Sequence, residues 1–124
     1  MAAITSLTQF SAVEDNNSYE GKGIKSYTQA YAATSAPVLK PAFKQIVAYA
    51  QLTGAMTINA DVTALKQWDT VVFHFSSDGT SRTVTFGTGF VATATIAPAI
   101  SKDARIEFEF DGTALREVTR WVGA

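Results

Sequence analysis

Few side chains in this sequence could do chemistry, and the sole histidine, His74, comes first. It lies between Phe73 and Phe75, with Ser76, Ser77, Asp69 and Asp78 near enough in the chain to suggest a Ser-His-Asp relay. The G-x-S-x-G pattern that presents a serine for attack is missing, so a surface or subunit-contact histidine is the default reading. Glu107 and Glu109 form a second candidate, the carboxylate pair of a glycosidase. Alternate residues on one strand face sit about 7 Å apart, between the separations that retaining and inverting mechanisms use. Both would also approach a bond from the same side, and a solvated strand face explains them better. Gly87-Thr88-Gly89 lacks the further glycine, the Lys-Ser/Thr pair and the helix of a phosphate loop. Asp61, Asp69, Asp78, Asp103 and Asp111 are spread through separate turns, without the dense spacing of a calcium loop. With no cysteine, zinc thiolate sites, disulfides and cysteine nucleophiles are excluded together. The sequence therefore implies no catalytic residue, no metal and no cofactor.

Tryptophans supply a different chemistry, because an exposed indole can stack on a sugar or anchor a protein interface. Trp121, close to the C-terminus, is expected at an interface, whereas Trp68 suits a cap over the core beside a turn equally well.

The bounds on the chain agree with a binding or building unit. Its 124 residues, 47% of them hydrophobic, suit one domain able to bury a sizeable core. Ten basic and eleven acidic residues leave a net charge of -1 with no run of either sign. The electrostatic footprint of a nucleic-acid binder or a polybasic membrane anchor is thus missing. Met1 to Thr8 lacks the basic start and apolar core of a secretory signal. No window approaches the ~18 apolar residues of a spanning helix, so nothing in the pattern directs the chain across a membrane.

Two unlike segments follow. Residues 1–41 are rich in Ser, Thr, Ala, Asn and Gln, with an exposed loop at Glu14 to Ser18 and Gly21-Lys22-Gly23. Phe10, Tyr19, Tyr27 and Tyr31 make this segment too aromatic for a simple linker. It reads as an extended N-terminal arm whose aromatics pack on the chain's own second half or on a neighbouring subunit. Ordinary edge strands of one domain are the alternative reading. Pro37 and Pro41 argue against a central strand or helix between them and place a boundary near Pro41.

Residues 42–124 carry the grammar of strands. Met56 and Ile58 alternate with Thr57 and Asn59, and Val71, Phe73 and Phe75 alternate with Val72 and His74. Asp78-Gly79 is a tight-turn signal with Arg82 to Phe86 returning as the hairpin partner. Asp61 to Trp68 is a connection with room for one helical turn capped by Asp61, and Ala94 to Ala97 is a short strand. Ile106, Phe108 and Phe110 point inward while Glu107 and Glu109 point out, before the Asp111-Gly112 turn. Phe43 to Leu52 fits a short helix or a strand. About six strands with frequent turns predict an all-β fold, a small antiparallel β-sandwich of jelly-roll type.

From Phe43 to Arg120 the sequence resembles a β-structured module of tailed-phage virion proteins. The matching residues are Leu52-Thr53-Gly54-Ala55-Met56-Thr57-Ile58-Asn59, Leu65 to Asp69, Val71 to Phe75, Asp78 to Phe90 with its R-T-V-T-F-G-T-G-F core, and Phe108 to Thr113. The resemblance covers roughly two thirds of the chain and implies a small β-sandwich, often trimeric, in fibres, spikes or capsid-surface decorations. It also implies a strand over Phe43 to Leu52. Its motif residues are framework residues, so it transfers no catalytic or ligand-contacting position. Fibre proteins of this kind carry long shafts, whereas 124 residues beginning at Met1 suggest a free-standing capsid decoration or head-fibre protein. The expected partners are further copies in a homotrimer and the major capsid protein, with the arm before Pro41 docking to the capsid or threading the trimer. Near-neutral charge would avoid self-repulsion in a dense shell. The expected location is the virion, capsid surface before tail, after synthesis in the host cytoplasm. A tail-fibre or spike module that recognises surface glycans is the alternative, and a hydrolase a distant third.

Overall fold

The computed structural model describes residues 23–91 and 93–123, all of them strand, turn or irregular backbone. Eight strands occur among the described residues: β1 (Ile24–Gln29), β2 (Thr34–Ser35), β3 (Lys44–Tyr49), β4 (Met56–Ile58), β5 (Thr70–Ser76), β6 (Val84–Phe86), β7 (Asp103–Phe110) and β8 (Leu115–Val122). The all-β expectation holds. Within Phe43 to Leu52, Lys44–Tyr49 forms strand β3 and not a helix, with Gln45, Val47 and Tyr49 buried and Lys44, Ile46 and Ala48 half-buried. Three of the six residues of β3, Ile46, Val47 and Tyr49, are β-branched or aromatic, and none supplies a helix cap.

The chain crosses from one sheet to the other at each successive strand until β7. One sheet has the order β1-β3-β5-β7-β8 and the other β2-β4-β6. Ile24 lies beside Lys44 and Lys44 beside Thr70, both in parallel register, so the first laps of chain are 20 and 26 residues long. The smaller sheet is parallel throughout, with Thr34 beside Thr57 and Met56 beside Val84. Successive laps are thus stacked, as in a solenoid, over a core shared by both sheets.

This corrects the antiparallel jelly-roll-like sandwich: among the described residues, antiparallel strand pairing is confined to β5–β7 and β7–β8. Alternation of apolar and polar residues fixes which face of a strand is buried and is silent about its neighbour and direction. Parallel neighbours need a crossover of a dozen residues or more. Here a strand of the opposite sheet supplies that crossover. The Asp78-Gly79 hairpin is corrected for the same reason, because β6 does not pair with β5. Asp78 instead turns the chain between sheets: its carboxylate accepts from Arg82 Nε at 2.9 Å and Nη2 at 3.0 Å, and from the Thr80 amide at 3.1 Å. The connection after Asp61 contains no helix. Asp61 caps only a local turn, accepting from the Thr63 amide and hydroxyl. Ile96 makes a single antiparallel bridge to Val84, less than the short strand expected there.

Ile24–Gln29 and Thr34–Ser35, within the segment expected as an arm, are paired into the sheets, β1 at one edge of the larger and β2 at one edge of the smaller. Tyr27 and Tyr31 pack against the common core. Residues 1–22 lie outside the described residues, and so do the interface expectations for Phe10 and Tyr19.

An aromatic cluster joins the layers. Phe73, Phe75 and Phe108 come from the larger sheet, Phe86 from the smaller and Phe90 from the corner after it. Ring centroids lie 4.9 Å apart for Phe90–Phe108, 5.0 Å for Phe86–Phe90 and 5.2 Å for Phe86–Phe108, all near edge-to-face. Phe108 is fully buried between them. Phe108→Ala should therefore lower unfolding free energy by about 3–5 kcal/mol in chemical denaturation.

The two halves of the sequence motif meet at one corner of the stack. Gly87 N–H donates to Ile58 O at 2.8 Å, Thr88 N–H to the Asn59 side-chain oxygen at 2.9 Å, and Ala60 N–H to Thr88 O at 2.9 Å. A Cβ on Gly87 would collide with the Asn59 carboxamide. Gly89 has φ +94°, and a Cβ there would stand 2.7 Å from Ala60 O. Gly89→Ala should cost on the order of 1–3 kcal/mol, seen as a lower denaturation midpoint with an unchanged m-value.

Candidate interaction surface

The outward face of the larger sheet gathers His74, Glu107, Glu109 and Trp121 from among the residues that the sequence marked for chemistry. Register places Ala48, His74, Arg105 and Trp121 in one cross-strand row, and Ile46, Val72, Glu107 and Thr119 in the next. Alternation puts these residues opposite the core, since Val47, Phe73 and Ile106 occupy the inward positions. Between β7 and β8 a shallow groove of about 240 Å³ is bordered by Val72, Arg105, Glu107, Thr119 and Trp121. Trp121 is half exposed and carries the Arg105 guanidinium 5.3 Å from its ring centroid. That contact fixes the indole against the sheet while leaving one face to solvent.

His74 sits beside this groove, its Nε2 3.6 Å from Asp103 Oδ2. Among the described residues no hydrogen bond joins it to the serines or aspartates considered for a relay. Ser77 donates to Pro98 O at 3.0 Å, Asp78 is held by Arg82, and Asp69 accepts from the Lys66 amide at 2.9 Å. Glu107 and Glu109 do share one outward strand face. Among the described residues no three His, Asp or Glu side chains converge to hold a metal ion. No described helix is long and apolar enough to cross a membrane.

The aromatic residues expected at an interface divide. Tyr27 donates its hydroxyl to Gln45 Oε1 at 2.8 Å beneath the Lys40 ammonium, and burial, with a smaller contribution from Tyr49, pushes its pKa up. Tyr31 donates to Ala55 O at 3.0 Å, and its hydroxyl fills the space where a Cβ on Gly54 would go. Both tyrosines therefore serve contacts within the chain. Trp121 keeps an exposed face. Trp68 is 58% exposed at φ +77°, so it does not cap the core.

Sequence reasoning missed Phe43 and Ile24, which are 66% and 52% exposed. Both stand where strands of the larger sheet begin, as does Trp68 just ahead of β5. The Lys44 amide donates to Gly23 O and the Thr70 amide to Phe43 O, which aligns these strand starts along one end of the sheet. The available signal for Phe43 was its place before the alternation of β3 begins.

No protein-family model matches the chain, and no curated protein is similar to it at a significant level.

The hairpin that carries Trp121 is set by Asp111. Its carboxylate accepts from the Thr113 and Ala114 amides at 2.8 Å each and pairs with Arg116. These bonds, the backbone ones foremost, lower its pKa from 3.8 to about 2. The folded value lies below the unfolded one, so the carboxylate stabilises the fold above pH 3.8 and that contribution is lost as pH falls through about 2. Asp111→Ala should melt below the parent at neutral pH, with the difference shrinking across that window; thermal denaturation against pH measures it.

Proposed function

We propose that this chain is a structural protein of a tailed-bacteriophage virion, a capsid decoration or head-fibre protein that works through contacts between chains. The observation that carries this reading is the interlocking of its motif residues. Asn59, Gly87, Thr88 and Gly89 hold successive laps in register. That is the framework role which the resemblance to phage modules assigns them. Large apolar side chains left outside the core, Trp121 above the groove and Ile24, Phe43 and Trp68 along one sheet end, offer contact area for other subunits. A homotrimer seated on the major capsid protein is the assembly this reading implies.

The groove beside Trp121 favours one second reading, a glycan-binding module of a tail fibre or spike. A half-exposed indole flanked by Arg105, Glu107 and Thr119 combines a stacking surface with hydrogen-bonding groups.

Locating the chain in an electron-microscopy map of the intact particle separates these readings. Density at capsid vertices or hexamer centres is the expected result, with the purified chain sedimenting as a trimer. Density confined to the tail, together with glycan binding that Trp121→Ala abolishes, would overturn decoration in favour of the receptor module.

A further inference from the structure

The two ends of the stack are treated differently. At the C-terminal end, β7 and β8 close the larger sheet, and Ile96 bridges to Val84 at the edge of the smaller one. The outer strand there, β8, is interrupted by a bulge and carries Arg116, Glu117 and Arg120, features that discourage further pairing. At the N-terminal end, β1 is regular over all six residues, contains no proline and carries one charge. Gly23 O and Gln29 O accept from the amides of Lys44 and Ala50, so odd-numbered residues turn their peptide groups toward β3. Alternation then aims those of Ile24, Ser26 and Thr28 at the outer edge, where no described strand lies. The inward side chains of β1 are also incompletely covered. Lys25, Tyr27 and Gln29 are half-buried, whereas Gln45, Val47 and Tyr49, one lap further on, are buried.

The sequence contains a second copy of this strand. Ile4-Thr5-Ser6-Leu7-Thr8-Gln9-Phe10-Ser11-Ala12 aligns with Ile24-Lys25-Ser26-Tyr27-Thr28-Gln29-Ala30-Tyr31-Ala32, with identity at Ile, Ser, Thr, Gln and Ala, five of the nine positions. The offset, 24 − 4 = 20, equals the lap that sets Ile24 beside Lys44. Fourteen residues, 10–23, separate Gln9 from Ile24, and fourteen, 30–43, separate Gln29 from Lys44. A crossover of that length already joins β1 to β3, so the same chain can make the return.

We propose that the outer edge of β1 is the docking site for Ile4–Gln9 of the same chain, added as a further parallel strand one lap earlier. Ile4 then lies beside Ile24, and Leu7 takes the inward row next to Tyr27. Ser6 and Thr8 continue the polar outer row of Ser26 and Thr28. The added strand receives the peptide groups of Ile24, Ser26 and Thr28 and covers the exposed side of Tyr27.

Residue-resolved amide hydrogen exchange on the full chain tests it. The Ser26 and Thr28 amides are expected to exchange slowly, in the manner of Tyr27 and Gln29. Leu7→Asp, on the inward row, should speed Ser26 and Thr28 by roughly an order of magnitude or more while the core amides of Phe73 and Phe108 stay protected. Ser6→Asp, on the outward row, should leave Ser26 and Thr28 slow. Exchange of these two amides at unstructured rates in the parent chain would overturn the proposal, as would equal effects of the two substitutions. Protection that disappears on dilution would overturn it too, because a second copy would then supply the strand.

Discussion

Register between stacked laps is the constraint on which this structure depends, and the Asn59 corner enforces it. A parallel ladder can slip, and a slip of one residue would turn every buried side chain of a strand outward. The Asn59 carboxamide removes that freedom between β4 and β6 by binding the Thr88 amide directly beyond the paired residues Ile58 and Phe86. Gly87 and Gly89 let the backbones approach closely enough for this bond to form. Once the corner is fixed, Phe86 and Phe90 fall against Phe108, and the two sheets share one core.

A second polar anchor works at the opposite end of the stack. Gln45 is completely buried, yet its side chain is satisfied: Oε1 accepts from the Tyr27 hydroxyl and the Lys40 amide, and Nε2 donates to Lys40 O at 2.7 Å. It therefore ties β1, β3 and the corner before β3 at a place where an apolar side chain would leave three polar groups without partners. The β7–β8 bulge has a comparable logic. Residues three apart on a regular strand face opposite ways, but the extra residue opposite Glu107 and Phe108 brings Glu117 and Arg120 to the same side. There Arg120 grips both oxygens of Glu117 and reaches the carbonyls of Thr95 and Ala94, holding that segment over the core.

Burial was legible in the sequence; connectivity was not. Period-two patterns in Met56 to Ile58, Val71 to Phe75 and Ile106 to Phe110 assign the inward residues correctly, because side-chain direction is a local property of a strand. Which strands lie side by side in the parallel pairs depends on contacts 20 to 28 residues apart, from Ile24–Lys44 to Met56–Val84, and no local pattern encodes them. Asp78-Gly79 misled because the same turn chemistry serves a hairpin or a corner between sheets. The Asp78–Arg82 ion pair found at the corner is a side-chain contact that the turn signal does not encode. Among surface residues, Trp121 could be picked out by type and position. Phe43 and Ile24 could not, since their exposure follows from standing at strand starts on one end of a sheet whose order was unknown.

A fold assembled from stacked laps places its unfinished business at its ends and on its outer faces. Inside the stack each strand has two neighbours, and the side chains between them are spent on packing or on register. Tyr27 and Tyr31 show this: one hydroxyl is bound by Gln45 and the other by Ala55 O beside Gly54, so both pack on the chain's own second half. Trp121 escapes that fate because β8 is a terminal strand and its outward row has a neighbour on one side only. Ile24 belongs to the other terminal strand. Exposed apolar side chains thus remain on the outward row of β8 and at the strand starts of the larger sheet, where Ile24, Phe43 and Trp68 stand, because neither place is enclosed between the two sheets.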